Sequence, residues 1–364
     1  MSNRTTVIPF GPQHPVLPEP LHIKFVVEDE TVVGAVPQLG FVHRGLESLV
    51  RVKDYNQMVF VVERICGICS CIHANCYCNA IEDLMGITAP PRAQFLRVVW
   101  SELHRMHSHL LWLGLFADAF GFESVFQQFW RIREHVMDIC EATAGNRVIL
   151  SVNVVGGVRR DLTPDQIRWM LGRLDELETG MRELTRTMLD DYTVQERTRG
   201  IGYLSKEDAR LLGAAGPTLR GSGWEIDERM HGYAAYKDLN FIPVVEPDGD
   251  CYARAKVRFY EVLHAIELVR EALNRLPESE RRESEIVGFL GGLGAVSGNA
   301  IADEPSTDGV GVGVDSDIAT EPAPAQRGDT ATWHCVSIDG EPRNWITRPV
   351  LADMDELSII VEEG

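Results

Sequence analysis

Lysine is nearly missing from this chain of 364 residues: five lysines stand against 30 arginines. Acid outweighs base, 54 aspartates and glutamates against 35 lysines and arginines, for a net charge of −19. Such a surface repels a polyanion, so nucleic acid is excluded as a ligand class. The shortage of lysine fits a salty cytoplasm or a GC-rich gene equally well. Long apolar runs are lacking too. The uncharged stretch Val287–Ala302 is rich in glycine and falls short of the about 20 apolar residues a spanning helix needs. Nothing at the start reads as a signal peptide. The expectation is a cytosolic protein, or one held at a membrane through partners.

A disulfide framework is also absent. Of eight cysteines, five fall together as Cys66, Cys69, Cys71, Cys76 and Cys78, while Cys140, Cys251 and Cys335 are scattered. Pairs spread along a small secreted chain would read as staples; a cluster in a large chain reads as metal or redox chemistry. Residues 63–73 are Glu-Arg-Ile-Cys-Gly-Ile-Cys-Ser-Cys-Ile-His. Two thiolates three residues apart can bite one metal ion, Gly67 lets the backbone come close, and His73 lies four past Cys69, on the same face of a helix. The same spacing occurs in redox dithiols and half-zinc sites, and a pair of buried small thiols is the bland alternative. A thioredoxin-like dithiol needs a βαβ context that these surroundings do not offer.

Patterning predicts a mainly α protein with small β parts. His22–Val36 reads as a hairpin about an acidic turn. Leu96, Val99, Leu103, Met106, Leu110 and Leu113 step by three and four, an apolar stripe along a helix of about six turns. Further helices are expected over about 123–143, from a capping box at Thr163 and Gln166 onward, and over about 252–276. Together they predict a helical bundle. Residues 302–326 carry six carboxylates without an aromatic side chain and read as an acidic linker or insertion between the main domain, 1–301, and a C-terminal segment, 327–364. Strand-like runs return at 332–338 and 357–361.

Arg64-Ile-Cys-Gly-Ile-Cys69 with His73 resembles the N-terminal cysteine motif of nickel–iron hydrogenase large subunits. Gly11-Pro12-Gln13-His14-Pro15, His43-Arg44-Gly45-Leu46-Glu47, Ser108–Gly114, Arg131–Glu134 and Gly156-Gly157-Val158 are similar to one branch, the membrane-bound energy-converting hydrogenases and the 49-kDa-type subunit of respiratory complex I. The resemblance covers about residues 8–300 and implies the hydrogenase large-subunit bundle, with an N-terminal β-hairpin region and a short C-terminal β or irregular part.

It also implies a site. Cys66 and Cys69 would be metal ligands of a Ni–Fe(CN)2CO centre, Cys66 terminal and Cys69 bridging, with Arg64, His73 and Glu82 beside the cofactor. His14, Glu47 and Asp138 would carry protons, Asp138 as acidic partner of the His14 loop. Each has a plainer alternative: a loop histidine, a surface ion pair, a helix aspartate bound to an arginine. His104, His107 and His109 are scattered round a helix by their spacing and read as structural. The implied partners are an iron–sulfur small subunit carrying [4Fe–4S], membrane ion-translocating subunits, and H2 with protons, or a quinone, as substrate. The place implied is the cytoplasmic face of the cell membrane. Gly67 stands where the quinone-type relatives carry a headgroup-binding tyrosine, which favours metal. The family's second cysteine pair has no counterpart after Asp353–Val361. Three readings follow: an altered or incomplete C-terminal region; a metal-poor relative with a redox, quinone or NADH-type role, or a scaffold role; or replacement of the missing ligands by Cys71, Cys76 and Cys78.

Overall fold

The computed structural model describes residues 5–14, 17 and 19–278, and the backbone of two short strands near the C-terminus. The acidic stretch 302–326, its boundary at 301 and the strand expected at 357–361 lie outside the described residues. The chain divides into a unit of residues 1–277 with 334–364, and a second, 278–333; the architecture below is that of the first.

Three antiparallel strands open it, β1 (Thr5–Phe10), β2 (His22–Glu28) and β3 (Thr31–Gln38), with β2 in the middle. The expected hairpin is β2–β3, joined through Asp29 at φ 55° and bulged between Val26 and Val27. The strand β1 was not foreseen. Gly11 ends it at φ +83°, and a Cβ there would lie 1.9 Å from the Leu21 carbonyl oxygen. Only glycine lets the chain pass so close as it enters the His14 loop.

Helices follow: α1 (Leu46–Val50), α2 (Tyr55–Val62), α3 (Ser70–Met85), α4 (Pro91–Ala119) and α5 (Glu123–Ala144). A minimal hairpin, β4 (Asn153–Val154) with β5 (Gly157–Val158), precedes α6 (Pro164–Leu189). Then come α7 (Tyr192–Thr198), α8 (Lys206–Leu211), α9 (Gly216–Arg220) and α10 (Cys251–Asn274). Strands β6 (Cys335–Val336) and β7 (Pro342–Arg343) pair antiparallel, and β6 falls within the expected run at 332–338.

Pro91 opens α4 at a position whose amide would be unsatisfied anyway, and left-handed Gly121 follows its end. The six stripe residues are 0–1% exposed. The opposite side is buried as well, including Arg97, Ser101, Glu102 and His104. The helix is therefore the central rod of the bundle, packed against α5 and α10, and not the one-sided helix the stripe suggests. Polar groups on such a rod must find partners. Glu102, Asp227 and Glu261 meet Arg105, Arg220 and Arg229 in one buried network, closed by His109 and the Tyr236 hydroxyl.

The start of α6 is built as its sequence predicts. Thr163 accepts from the Gln166 amide while the Gln166 side chain accepts from the Thr163 amide. Substituting Thr163→Ala is expected to cost about 1 kcal/mol, read as a lower urea midpoint at unchanged slope.

Candidate functional site

The segment Cys66–Cys69 is the turn between α2 and α3, and Cys69 is the N-cap residue of α3. Both thiols are buried, at 8% and 5% exposure. The sulfur of Cys66 accepts from the backbone amides of Ile68 at 3.3 Å and Cys69 at 3.4 Å. A hydrogen bond from the Cys69 side chain, helped by these amides, brings the Cys66 thiol down to about 7 against the opposing effect of burial. Glu19, at the far end of the His14 loop, lies near enough to oppose this shift. Cys66 is thus poised as a thiolate donor.

The turn is strapped from behind by residues 148–153. Ser70 donates to the Val148 carbonyl at 3.3 Å, Ser151 to Glu63 at 2.6 Å, and Asn153 to the Cys71 carbonyl at 3.0 Å. From the other side Arg44 donates to the Ile65 carbonyl at 2.6 Å, next to Cys66. The motif around Arg44 is thereby tied to the cysteine motif. The ring of His104, 1% exposed, faces the backbone of Ile68 and Val148.

His73 sits one turn into α3, its amide bonded to the Cys69 carbonyl at 3.2 Å. The ring is 4% exposed and its Nε2 has no hydrogen-bond partner among the described residues. Burial holds it neutral, with its pKa lowered to about 4. Two buried soft sulfurs, one of them readily ionised, are donors of the kind a thiophilic metal takes, and the orphaned His73 nitrogen lies one helical turn further along the chain without being grouped with them. The residues present offer the two thiols of the first half of a nickel–iron site, with no third donor grouped with them among the described residues.

Gly67 is not crowded by the described residues. A Cβ there would meet nothing within 4 Å among them. Cys71, Cys76 and Cys78 do not supply the missing ligands. Among the described residues no group of three or more His, Cys, Asp or Glu side chains is placed to hold a metal ion. All three lie inside α3. Burial pushes the Cys71 thiol far up and the Cys78 thiol up to about 12, and Cys140 likewise to about 12. They are packing groups.

The remaining expected residues are dispersed. His14 packs against Phe10, the rings tilted by 37° with centroids 4.3 Å apart. Glu47 is exposed in the first turn of α1. Arg64 turns outward, and its Nη1 donates to the Phe60 carbonyl of its own helix at 2.7 Å. Glu82 is taken by Arg97 through two bonds, of 2.9 and 2.5 Å, and by the Gly156 amide at 2.6 Å. It holds the β4–β5 hairpin to the bundle. Asp138 is half-exposed on α5 between Arg147 and Arg173, at 3.3 and 2.6 Å. Its geometry is the arginine-bound aspartate of the plainer alternative. His107 pairs with Arg133 at 2.6 Å and His109 with Glu261 at 2.7 Å. Sequence reasoning missed Glu63, Glu19 and the role of Arg44. Only the distance of three residues between Glu63 and Cys66 gave any local signal.

No described helix is long and apolar enough to cross a membrane. Residues 44–116 match the family described as nickel-dependent hydrogenase, and residues 119–287 match the 49-kDa subunit of respiratory-chain NADH dehydrogenase. The carbon monoxide-induced hydrogenase of Rhodospirillum rubrum is 37% identical over 78% of this chain and 79% of its own. The membrane-bound hydrogenase subunit alpha of Pyrococcus furiosus is 38% identical over 75% and 66%. One subunit of the F(420)H(2) dehydrogenase of Methanosarcina mazei is 34% identical over 76% and 74%. With such identity sustained across most of both chains, this protein belongs to the oxidoreductase family that unites membrane-bound hydrogenase subunits with the 49-kDa subunit of respiratory-chain NADH dehydrogenase.

Proposed function

We propose that this chain is the large-subunit component of a membrane-associated, energy-converting hydrogenase-type oxidoreductase. One observation carries the reading: the buried Cys66–Cys69 pair, with Cys66 brought to about 7 and the unpartnered Nε2 of His73 one turn away. Cys66 and Cys69 would hold a nickel–iron centre, which when bound supplies heterolytic splitting of H2 into protons and two electrons. The chain's own part is to present a thiolate at Cys66, to accept a proton on that sulfur, and to orient the Cys69 sulfur through His73. The backbone amides of Ile68 and Cys69 and the burial of both sulfurs keep that charge away from water. His14 on its loop and Glu47, exposed in the first turn of α1, are the groups proposed to pass protons outward. A small subunit carrying [4Fe–4S] would take the electrons and membrane subunits would translocate ions, with this chain held peripherally at the cytoplasmic side of the membrane.

A second reading rests on two observations, the lack of further ligands grouped with the cysteine pair among the described residues and the open space at Gly67. It makes the chain a nickel-free subunit that serves quinone or NADH-type electron transfer. Metal analysis of the purified complex separates the two. Nickel near one per chain is expected, and Cys66→Ser is expected to lose both that nickel and H2-dependent dye reduction. Nickel-free complex whose quinone reduction survives Cys66→Ser would establish the second reading instead.

A further inference from the structure

Glu63 is the buried acid beside the cysteine turn that the proposed reaction leaves without a task. It is the C-cap residue of α2 and is 0% exposed. Its Oε2 lies 2.6 Å from the Ser151 hydroxyl. Its Oε1 is buried and has no hydrogen-bond partner among the described residues. Arg64, the adjoining residue, holds its guanidinium 3.8 Å away and half exposed. Arg159, beyond β5, acts on it only at Coulomb range, and Cys71 and Cys78 of α3 face it as neutral thiols.

These surroundings suit an acid and not an anion. A carboxylate would leave a charged oxygen dry. A neutral carboxyl can give its proton to Ser151 Oγ across the same 2.6 Å, leaving only a carbonyl oxygen unpaired. Burial pushes the Glu63 carboxyl in this direction, above the ordinary carboxylate range. Ser151 itself stands at φ 50°, an uncommon conformation for a residue with a side chain. The strap that holds it there brings its hydroxyl onto Glu63.

We propose that Glu63 and Ser151 form a proton-holding pair, in which Glu63 rests as the neutral acid and exchanges its proton when the charge at the Cys66–Cys69 site changes. The O–H bond of Glu63 breaks as one forms on Ser151 Oγ, whose own hydroxyl proton passes to water; the return reverses this. Neither residue gains or loses an electron. The coupling is Coulombic: an electron arriving at a site nearby in a dry interior favours the protonated acid, and its departure favours release. The second half of the proposal rests on the redox function proposed above; the resting state of Glu63 does not.

Infrared difference spectroscopy on the full chain in its complex tests both halves. At neutral pH the wild type is expected to show a protonated-carboxyl carbonyl band that shifts in D2O. The band is lost in Glu63→Gln and displaced in Ser151→Ala, which removes the hydrogen bond and keeps the acid. Identical carboxyl spectra for the wild type and a folded Glu63→Gln overturn the proposal. If Glu63→Gln does not fold, an unmoved band in Ser151→Ala overturns it equally. Chemical oxidation of the complex is expected to lower the band and re-reduction to restore it, and a band constant across the redox range defeats the coupling. Because the resting band needs no nickel, its absence counts against Glu63 alone, and missing nickel with the band present counts against the hydrogenase reading alone.

Discussion

Replacing Arg97 by methionine is expected to destabilise the protein by about 3–5 kcal/mol, the range for removing one partner of a buried ion pair. Arg97 is 0% exposed and donates to Glu82, to Asn79, and to the carbonyls of Val154 and Gly157. Methionine fills the volume but leaves Glu82 with the Gly156 amide alone and strips two hairpin carbonyls of their donor. Most of the loss is the cost of a buried charge without its counterion. A second substitution, Glu82→Leu, on that background is therefore expected to restore much of the stability. Arg97→Lys should fall between, since an ammonium keeps the charge but cannot fork between carboxylate and carbonyls. Urea unfolding of the four proteins checks this. Equal losses in Arg97→Met and in the double variant would show that the ion pair is not what matters there.

The second large effect is a loss of stability in mild acid. His73 and His104 are held to about 4, against an ordinary value of 6.5, mainly by burial. In the unfolded chain both take up protons as the pH falls through 6.5; in the folded chain they stay neutral until about 4. Between those values the unfolded state binds more protons, so stability falls as the pH falls, by about 3 kcal/mol for each ring. His107 and His109 are shifted the same way by the same cause and add to it. Glu63, shifted upward, works in the opposite sense. Against a typical total of about 5–15 kcal/mol, the histidines alone make the fold acid-labile. Unfolding curves from about pH 7 down to about 4.5 should show the decline, and His104→Phe should flatten it by the share of one proton. A variant with the full wild-type slope would refute the assignment to His104.

The long helices were legible because their signals are local. The capping box at Thr163, the apolar stripe of α4, and the glycines at 121 and 145 each act within a turn or two. The strand β1 was illegible because it is specified by pairing with β2, and its register, Thr5 opposite Glu28, appears only in three dimensions. The burial of α4 on every side was hidden for a related reason. A stripe reports where leucines lie, while Arg97 and Glu102 look like surface residues until Glu82 and Arg229 arrive from distant segments.

The candidate site divides along the same line. Cys66 and Cys69 are close in sequence, so their sharing of one turn, with His73 in the first turns of the helix that follows, could be read from spacing. Glu82 and Asp138 were assigned by resemblance, and their partners, Arg97 and Arg173, lie 15 and 35 residues further along. Glu63 escaped because a glutamate beside an arginine ordinarily reads as a solvated pair. What distinguishes it is a serine 88 residues away.

The open surface in front of Gly67 bears on what this position of the cysteine turn can carry. A position with open space in front of its Cα and an ordinary backbone conformation accepts a side chain without rebuilding the turn around it. Within the described residues, then, the packing of the turn does not itself dictate whether this position carries glycine or a larger side chain.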